Sequence, residues 1–425
     1  MPKVNRKSVL ILGSTGSVGT NAIDIIMNNR HLFDVKAIVA GSNADKVTKQ
    51  AIDLGVQKVA LLDHKAGCRV REILANRNTA NFDNHAGLGP RERSRSGPSI
   101  SYPGLMEIDI EVFSGLDAIL DLCSGHYDIA ISAITGIAGL LPTLQAIRSS
   151  DLVAIANKES IVCGGHILLS EARLHGTKII PLDSEHHAIY RILGDEGDRE
   201  KKNYKQLASI VLTASGGPFW FKSKEEMDEA KITDVLRHPT WDMGPKITID
   251  CATMMNKGLE VIEAAYLFDI PIDQIDILVH PESLIHGIIN LHDGSSISYL
   301  SPADMRISIA HALSLSANDL RYRHKCVDLA KLANLRFFSP DYCRFPLLRL
   351  AREAFTHSVQ AMIVLNAINE KAVQKFLDGK IAFSQISLMV IRAMDDVNTY
   401  KNHDISTVQG VLELHNKIIR KDEVH

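Results

Sequence analysis

Paired cysteines are missing from this chain. Its six cysteines, Cys68, Cys123, Cys163, Cys251, Cys326 and Cys343, stand far apart in 425 residues with no Cys-x-x-Cys pair. That spacing excludes a dense disulfide framework, argues against a structural zinc site and fits a reducing cytoplasm. A surplus of one charge is also missing: 47 Lys+Arg face 50 Asp+Glu, for a net charge of −3. Nothing in that balance favours nucleic acid or an anionic membrane as a partner. Long hydrophobic runs are absent too. The longest apolar stretch, 129–141, contains Ser132, Thr135, Gly136 and Gly139 and stops at Pro142, too short to span a bilayer. The first seven residues lead into a strand without a signal-type apolar segment. With 45% apolar and 23% charged residues, the chain has ordinary globular composition, and at roughly 150 residues per domain about three domains are expected. A cytoplasmic multidomain enzyme fits these bounds.

The first 180 residues alternate strand and helix. Apolar runs at 8–12, 35–40, 58–62, 129–131, 152–155 and 178–180 read as strands. The helical segments between them call for a parallel, doubly wound α/β sheet. The stretch from 76 to 103, rich in Asn, Ser, Gly, Pro and Arg, reads as a mobile surface insertion. Its Arg91-Glu92-Arg93-Ser94-Arg95 cluster offers the alternative of a basic docking patch. From Asp183 to about Leu313 the pattern turns mixed, with strands expected at 210–213, 247–250 and 275–279. Residues 214–246, rich in Gly, Pro, Trp and charge, read as a flap. Beyond about Pro340 the pattern is helical. Leu347, Leu350, Ala351, Ala354 and Phe355 form one stripe; Leu365, Ile368, Ala372 and Phe376 form another, ending near Gly379.

Six segments carry candidate chemistry. Gly13-Ser14-Thr15-Gly16-Ser17-Val18-Gly19 follows the first strand and opens a helix. Glycines there admit a pyrophosphate to the backbone, and the helix amino terminus supplies free N–H groups. The second strand ends in Gly41-Ser42-Asn43 without Asp or Glu, which favours NADP over NAD; Lys46 is the nearby cation. Asn157-Lys158-Glu159-Ser160 follows another strand, on the side where open α/β sheets bind ligands. Asp183-Ser184-Glu185 follows a third. In extended backbone, residues i and i+2 share a side, so both carboxylates can converge on a hard cation, while His186 and His187 point instead toward zinc or iron. In Met254-Met255-Asn256-Lys257-Gly258-Leu259-Glu260, helical spacing puts Asn256, Lys257 and Glu260 on one face. Ser215 ends a strand with Gly216-Gly217 and suits a phosphate. His238 and Trp241 lie in the flap as an anion contact and a cover against water.

Taken together these segments resemble the 1-deoxy-D-xylulose 5-phosphate reductoisomerase family. The matching runs are GSTGSVG (13–19), AITGIAGLLPT (133–143), ANKES (156–160), LDSEHHAI (182–189), LTASGGPF (212–219), RHPTWDMGPKITID (237–250) and ATMMNKGLE (252–260), with HPESLIHG (280–287), PADMR (302–306) and LNAINE (365–370) following. The resemblance implies a Rossmann-like NADP-binding domain at 1–182 and an α+β catalytic and dimerisation domain with a mixed sheet at 183–314. A linker at 315–339 and a C-terminal helical bundle at 340–425 complete it. It implies an NADPH-dependent oxidoreductase, a homodimer, that turns 1-deoxy-D-xylulose 5-phosphate into 2-C-methyl-D-erythritol 4-phosphate. Asp183, Glu185 and Glu260 then match the Mg²⁺ or Mn²⁺ ligands, and with Lys158 the catalytic centre. Ser184, Lys158 and Asn256 match residues around the reacting oxygens. Ser215, His238, Asn256 and Lys257 match the phosphate site, and Trp241 with Met243 the lid. Gly13, Ser14, Thr15, Gly16, Ser17 and Val18 match the cofactor turn, with Gly41, Ser42, Asn43, Asn157, Lys158 and Glu159 around it. Cys251 replaces a serine that usually contacts the substrate phosphate, and Ser42 stands where many members carry a basic residue. Two alternatives stay open: a metal-independent NADP-linked sugar-phosphate or semialdehyde dehydrogenase, and a non-catalytic NADPH-sensing scaffold.

Overall fold

The computed structural model describes residues 6–86, 109–194, 202–317, 319–332 and 334–421. Seven strands form one sheet: β1 (Lys7–Leu12), β2 (Phe33–Ala40), β3 (Lys58–Leu61), β4 (Glu111–Ser114), β5 (Tyr127–Ser132), β6 (Ser150–Ile155) and β7 (Lys178–Pro181). Their order is β4-β3-β2-β1-β5-β6-β7, with every pairing parallel. Val9, Leu10, Ile11 and Leu12 are all fully buried. The central strands read as continuous apolar runs rather than alternating ones because helices cover both faces. Each such side chain contributes about 1.5–3 kcal/mol against exposure.

Capping residues set the helices between the strands. Asn43 accepts from the Lys46 amide at the start of Ala44–Leu54, and left-handed Gly55 ends it. Asn157 accepts from Ser160 N at the start of Lys158–His175, and left-handed Gly176 ends that helix.

A second, four-stranded mixed sheet follows: β8 (Leu207–Ala214), β9 (Ile275–Val279), β10 (Ile285–Leu291) and β11 (Ser296–Leu300), in the order β11-β10-β8-β9. Only β8 and β9 run parallel. Helix Met255–Phe268 is buried along almost its whole length. It packs against Lys158–His175 on one side and Leu347–His357 on another, so it joins the two sheets and the helical layer. Helices Leu347–His357, Val359–Leu377, Phe383–Asp395 and Val408–Lys421 complete that layer. No helix among the described residues is long and apolar enough to cross a membrane.

Two local expectations are corrected. Residues 247–250 form no strand but lie inside helix Pro245–Ala252. Ile247-Thr248-Ile249 has the β-branched composition of a strand. However, Pro245 is pre-set for the first helical position, and burial of Thr248, Ile249 and Asp250 against neighbouring helices overrides local preference. Residues 76–86, read as the start of the surface insertion, lie in helix His64–Ala86. The rest of it, with the Arg91–Arg95 cluster, lies outside the described residues. Near the end of the 315–339 stretch, Phe338 forms an antiparallel bridge with Val279, with N–O distances of 2.8 and 2.9 Å.

Candidate active site

In the seven-stranded sheet the chain order reverses between β1 and β5, and ligands bind open α/β sheets in the crevice at such a point. Gly13 sits there with φ of 83°, and an added Cβ would run into the Ala133 carbonyl, so only glycine fits. The Gly13 and Ser14 amides both donate to Val39 O at 2.9 Å. Lys46 Nζ donates to Thr15 O at 2.8 Å and Gln50 Nε2 to Ser14 O at 2.9 Å, which fixes the turn from behind. Helix Ser17–Asn28 begins at Gly16 with no side-chain cap, leaving its first N–H groups open to an anion. These features fit a dinucleotide pyrophosphate.

One cavity of about 520 Å³ gathers most of the expected residues. Gly16, Ser17, Val18, Asn157, Lys158, Glu159, Asp183, Ser184, Glu185, Ser215, Trp241, Met243, Cys251, Asn256, Lys257 and Glu260 all line it. Gly13, Ser14 and Thr15 are not among its lining residues. Gly41, Ser42 and Asn43 are exposed at the end of β2, outside the cavity. Asn157 spends its side chain locally, accepting from Ser160 N and donating to Gly136 O at 2.8 Å.

The centre is a buried charge cluster. Lys158 Nζ donates to Asp183 Oδ2 at 2.7 Å, Asn256 Oδ1 at 2.8 Å and Glu260 Oε1 at 3.0 Å. Lys257 Nζ reaches Glu185 Oε1 at 2.7 Å and also Glu260 Oε2. Asp183 caps helix Ser184–Leu193 by accepting from Glu185 N. Its carboxylate and that of Glu185 therefore converge at a helix amino terminus, not along the extended backbone expected from sequence. Asn256, Lys257 and Glu260 do meet through helical spacing, within Met255–Phe268. Carboxylate oxygens of Asp183, Glu185 and Glu260 lie within 4.8 Å of one another.

Three carboxylates here face two ammonium groups. Burial first, and then the neighbouring Glu260 charge, push the Glu185 carboxyl up to about 7. A hard divalent cation would relieve that imbalance, and an all-oxygen donor set suits Mg²⁺ or Mn²⁺ better than zinc. Behind the cluster, burial pushes Glu263 up to about 7. Against the same burial penalty, the Glu263 and Asp183 carboxylates carry His186 up to about 9.

Near Ser215, His238 Nδ1 accepts from the Thr240 and Trp241 amides at 3.1 and 2.9 Å. Its proton is therefore on Nε2, which donates to Ser215 Oγ at 2.9 Å. Gly217 N donates to the same oxygen, so the Ser215 proton is left to donate into the cavity. His238 positions Ser215 instead of lining the cavity itself. Burial pushes the Cys251 thiol well above its usual range, which keeps it a neutral, weak donor.

Sequence reasoning missed a second network. Lys246 Nζ pairs with Glu159 Oε1 and, at 2.7 Å, with Asp250 Oδ2; Asn369 Nδ2 donates to Asp250 Oδ1 at 2.8 Å. These contacts tie the helix after Lys158, the helix carrying Cys251 and the C-terminal layer together. The i, i+4 spacing of Lys246 and Asp250 was the available signal, hidden by reading that segment as a strand.

A dinucleotide crevice opening onto a buried carboxylate–lysine cluster defines an NAD(P)-dependent oxidoreductase with room for a divalent cation. Profiles for the 1-deoxy-D-xylulose 5-phosphate reductoisomerase match residues 9–89 and 102–165. Profiles for that enzyme's C-terminal domains match 179–268 and 300–421. The chain is 37% identical over 406 residues to the 1-deoxy-D-xylulose 5-phosphate reductoisomerase of Geotalea uraniireducens, covering 96% of this chain and 95% of that one. It is 39% identical over 396 residues to that of Afipia carboxidovorans, covering 92% and 86%. A crystal structure of DOX-P reductoisomerase in complex with NADPH, fosmidomycin and magnesium superposes with a TM-score of 0.85 at 32% identity, covering 98% of each chain. The Zymomonas mobilis enzyme in complex with NADPH gives 0.81 at 33% identity, covering 100% and 99%. The chain belongs to the 1-deoxy-D-xylulose 5-phosphate reductoisomerase family.

Proposed function

We propose that this protein isomerises 1-deoxy-D-xylulose 5-phosphate and reduces the product with NADPH to 2-C-methyl-D-erythritol 4-phosphate. The observation that carries this reading is the single cavity in which the Gly16–Val18 helix start, the Lys158–Asp183–Glu260 cluster and Ser215 face one another. We assign NADPH to the unit 1–182, with its pyrophosphate at the Gly16 helix start. Reaction and metal ligands fall to 183–314, and support of the flap base to 340–425.

In this assignment Asp183, Glu185 and Glu260 would hold a Mg²⁺ or Mn²⁺ ion. When bound, such an ion supplies Lewis-acid stabilisation of negative charge on substrate oxygens. Lys158 adds a positive charge beside those oxygens, already fixed by three acceptors and so needing no reorganisation during reaction. Ser184 and Asn256 orient the hydroxyl and carbonyl groups. Ser215, Asn256 and Lys257 bind the phosphate, with His238 holding Ser215. Trp241, edge-on to His286 with ring centroids 6.1 Å apart, covers the site with Met243. Phosphate binding remote from the reacting carbons supports closure of 214–246 and exclusion of water.

We further assign the protein to the cytoplasm and to a homodimer. The exposed edge strand Ser296–Leu300, with Ile297 turned to solvent, supports the second assignment. Incubation with the deoxyxylulose phosphate, NADPH and Mn²⁺, followed by ³¹P NMR, tests the reaction. A new phosphomonoester matching the methylerythritol phosphate is expected, and its absence with substrate unchanged refutes the assignment. Light scattering tests the dimer.

A further inference from the structure

Glu263 is fully buried, yet neither of its carboxylate oxygens has a hydrogen-bond partner among the described residues. Buried carboxylates are costly unless paired, and an apolar residue of similar volume would avoid the desolvation penalty. Its nearest basic neighbour is His186, whose Nδ1 lies 3.5 Å from Glu263 Oε2 and 3.3 Å from Asp183 Oδ1. His186 Nε2 is 2.9 Å from the Glu260 carbonyl oxygen. That oxygen can only accept, so Nε2 carries a proton. Nδ1 then faces two acidic oxygens and, like the Glu263 oxygens, has no hydrogen-bond partner among the described residues.

Two helices build this arrangement from the same spacing. Asp183 and His186 are three apart at the start of Ser184–Leu193, and Glu260 and Glu263 are three apart in Met255–Phe268. Asp183 and Glu260 line the cavity while His186 and Glu263 lie behind them. Phe268 stacks on the imidazole at 6.3 Å, which limits its rotation. Asp183 Oδ1 faces His186 and accepts from Glu185 N, leaving Oδ2 for Lys158 and the cavity.

We propose that Glu263 is a positioning residue that acts through His186 to fix the Asp183 carboxylate and so preform the three-carboxylate cluster for one divalent cation. The proposal rests on Asp183 being a ligand. Outer partners of metal ligands fix ligand orientation, and their loss typically weakens binding by about 10–100-fold.

Electron paramagnetic resonance titration of Mn²⁺ into the full chain tests it, with NADPH affinity read in parallel by fluorescence. One Mn²⁺ per chain is expected in the parent. In Glu263→Gln, Mn²⁺ affinity should fall about 10–100-fold while NADPH affinity stays within about twofold. A His186→Gln, Glu263→Gln double variant should bind Mn²⁺ no more weakly than His186→Gln alone, because the carboxylate acts through the ring. Glu263→Gln binding Mn²⁺ like the parent overturns the proposal, as do multiplying losses in the double variant. A second Mn²⁺ per parent chain that disappears in Glu263→Gln would make Glu263 a ligand, and parallel loss of NADPH binding would make it a packing residue. Either also overturns it. A parent chain that binds no Mn²⁺ refutes the ligand assignment itself, a result distinguishable from failure of Glu263 alone.

Discussion

Replacing Glu260 by Gln probes the cluster at its most connected member. The side chain is 1% exposed; Oε1 accepts from Lys158 and Asn256 and Oε2 from Lys257. Both oxygens face donors, so an amide NH₂ must oppose an N–H on whichever side it takes. The substitution also deletes one of the three carboxylate charges, which both buried ammonium groups contact. Breaking a buried ion pair by removing one partner costs roughly 3–5 kcal/mol. That cost falls on folding, where at 1.4 kcal/mol per tenfold it corresponds to about two to three and a half orders of magnitude in the folding equilibrium. Gln matches Glu in helix propensity, so helix Met255–Phe268 should persist. Glu260→Gln should abolish NADPH oxidation at ordinary metal concentrations and lose Mn²⁺ affinity, while fluorescence-detected NADPH binding stays nearly intact. Full turnover, or Mn²⁺ affinity like the parent's, would refute the reasoning and remove Glu260 from the site.

Cys251→Ser should leave substrate affinity unchanged or tighten it, since a hydrogen bond to a charged group contributes about 1.5–3 kcal/mol and a neutral thiol supplies only part of that. A large rise in KM would instead give the thiol a specific role. Lys246→Met strips the shared cation from Glu159 and Asp250, so KM for the sugar phosphate should rise at least about tenfold. Glu159→Gln should soften that effect in a double-mutant cycle, and purely additive losses would contradict the linkage. Burial holds His286 at about 4, and His238 likewise. The unfolded chain takes up protons from about pH 6.5 downward and the native chain only near 4, so stability should fall as pH drops through that window. His286 alone accounts for up to roughly 3 kcal/mol. Urea unfolding at pH 7 and pH 5 should therefore show a steeper loss in the parent than in His286→Gln, and equal slopes would count against buried neutral histidine.

The parallel sheet was legible because β1, β5 and β6 carry continuous apolar runs and β2 ends in one, Ala37–Ala40, between turn residues, a pattern that needs no long-range information. The Gly13–Gly19 turn was legible for a similar reason, its chemistry being local. Asn256, Lys257 and Glu260 converge through helix periodicity alone. The failures share a different cause. Helix Pro245–Ala252 is set by burial against distant helices, which outweighs the β-branched Ile247-Thr248-Ile249 run. Glu263 and His186 meet only because two helices pack, and neither residue's spacing announces the other. Ser215 and His238 were both expected at a phosphate. Only the direction of the Thr240 and Trp241 amides reveals that one of them holds the other.

The most direct test follows NADPH absorbance at 340 nm with purified protein and 1-deoxy-D-xylulose 5-phosphate, with Mn²⁺ present and then with EDTA. Oxidation that needs the sugar phosphate, proceeds with Mn²⁺ and stops on chelation is the expected result. No oxidation with metal, or oxidation unchanged by EDTA, would contradict the assignment of a metal-assisted reductoisomerase site to Asp183, Glu185 and Glu260.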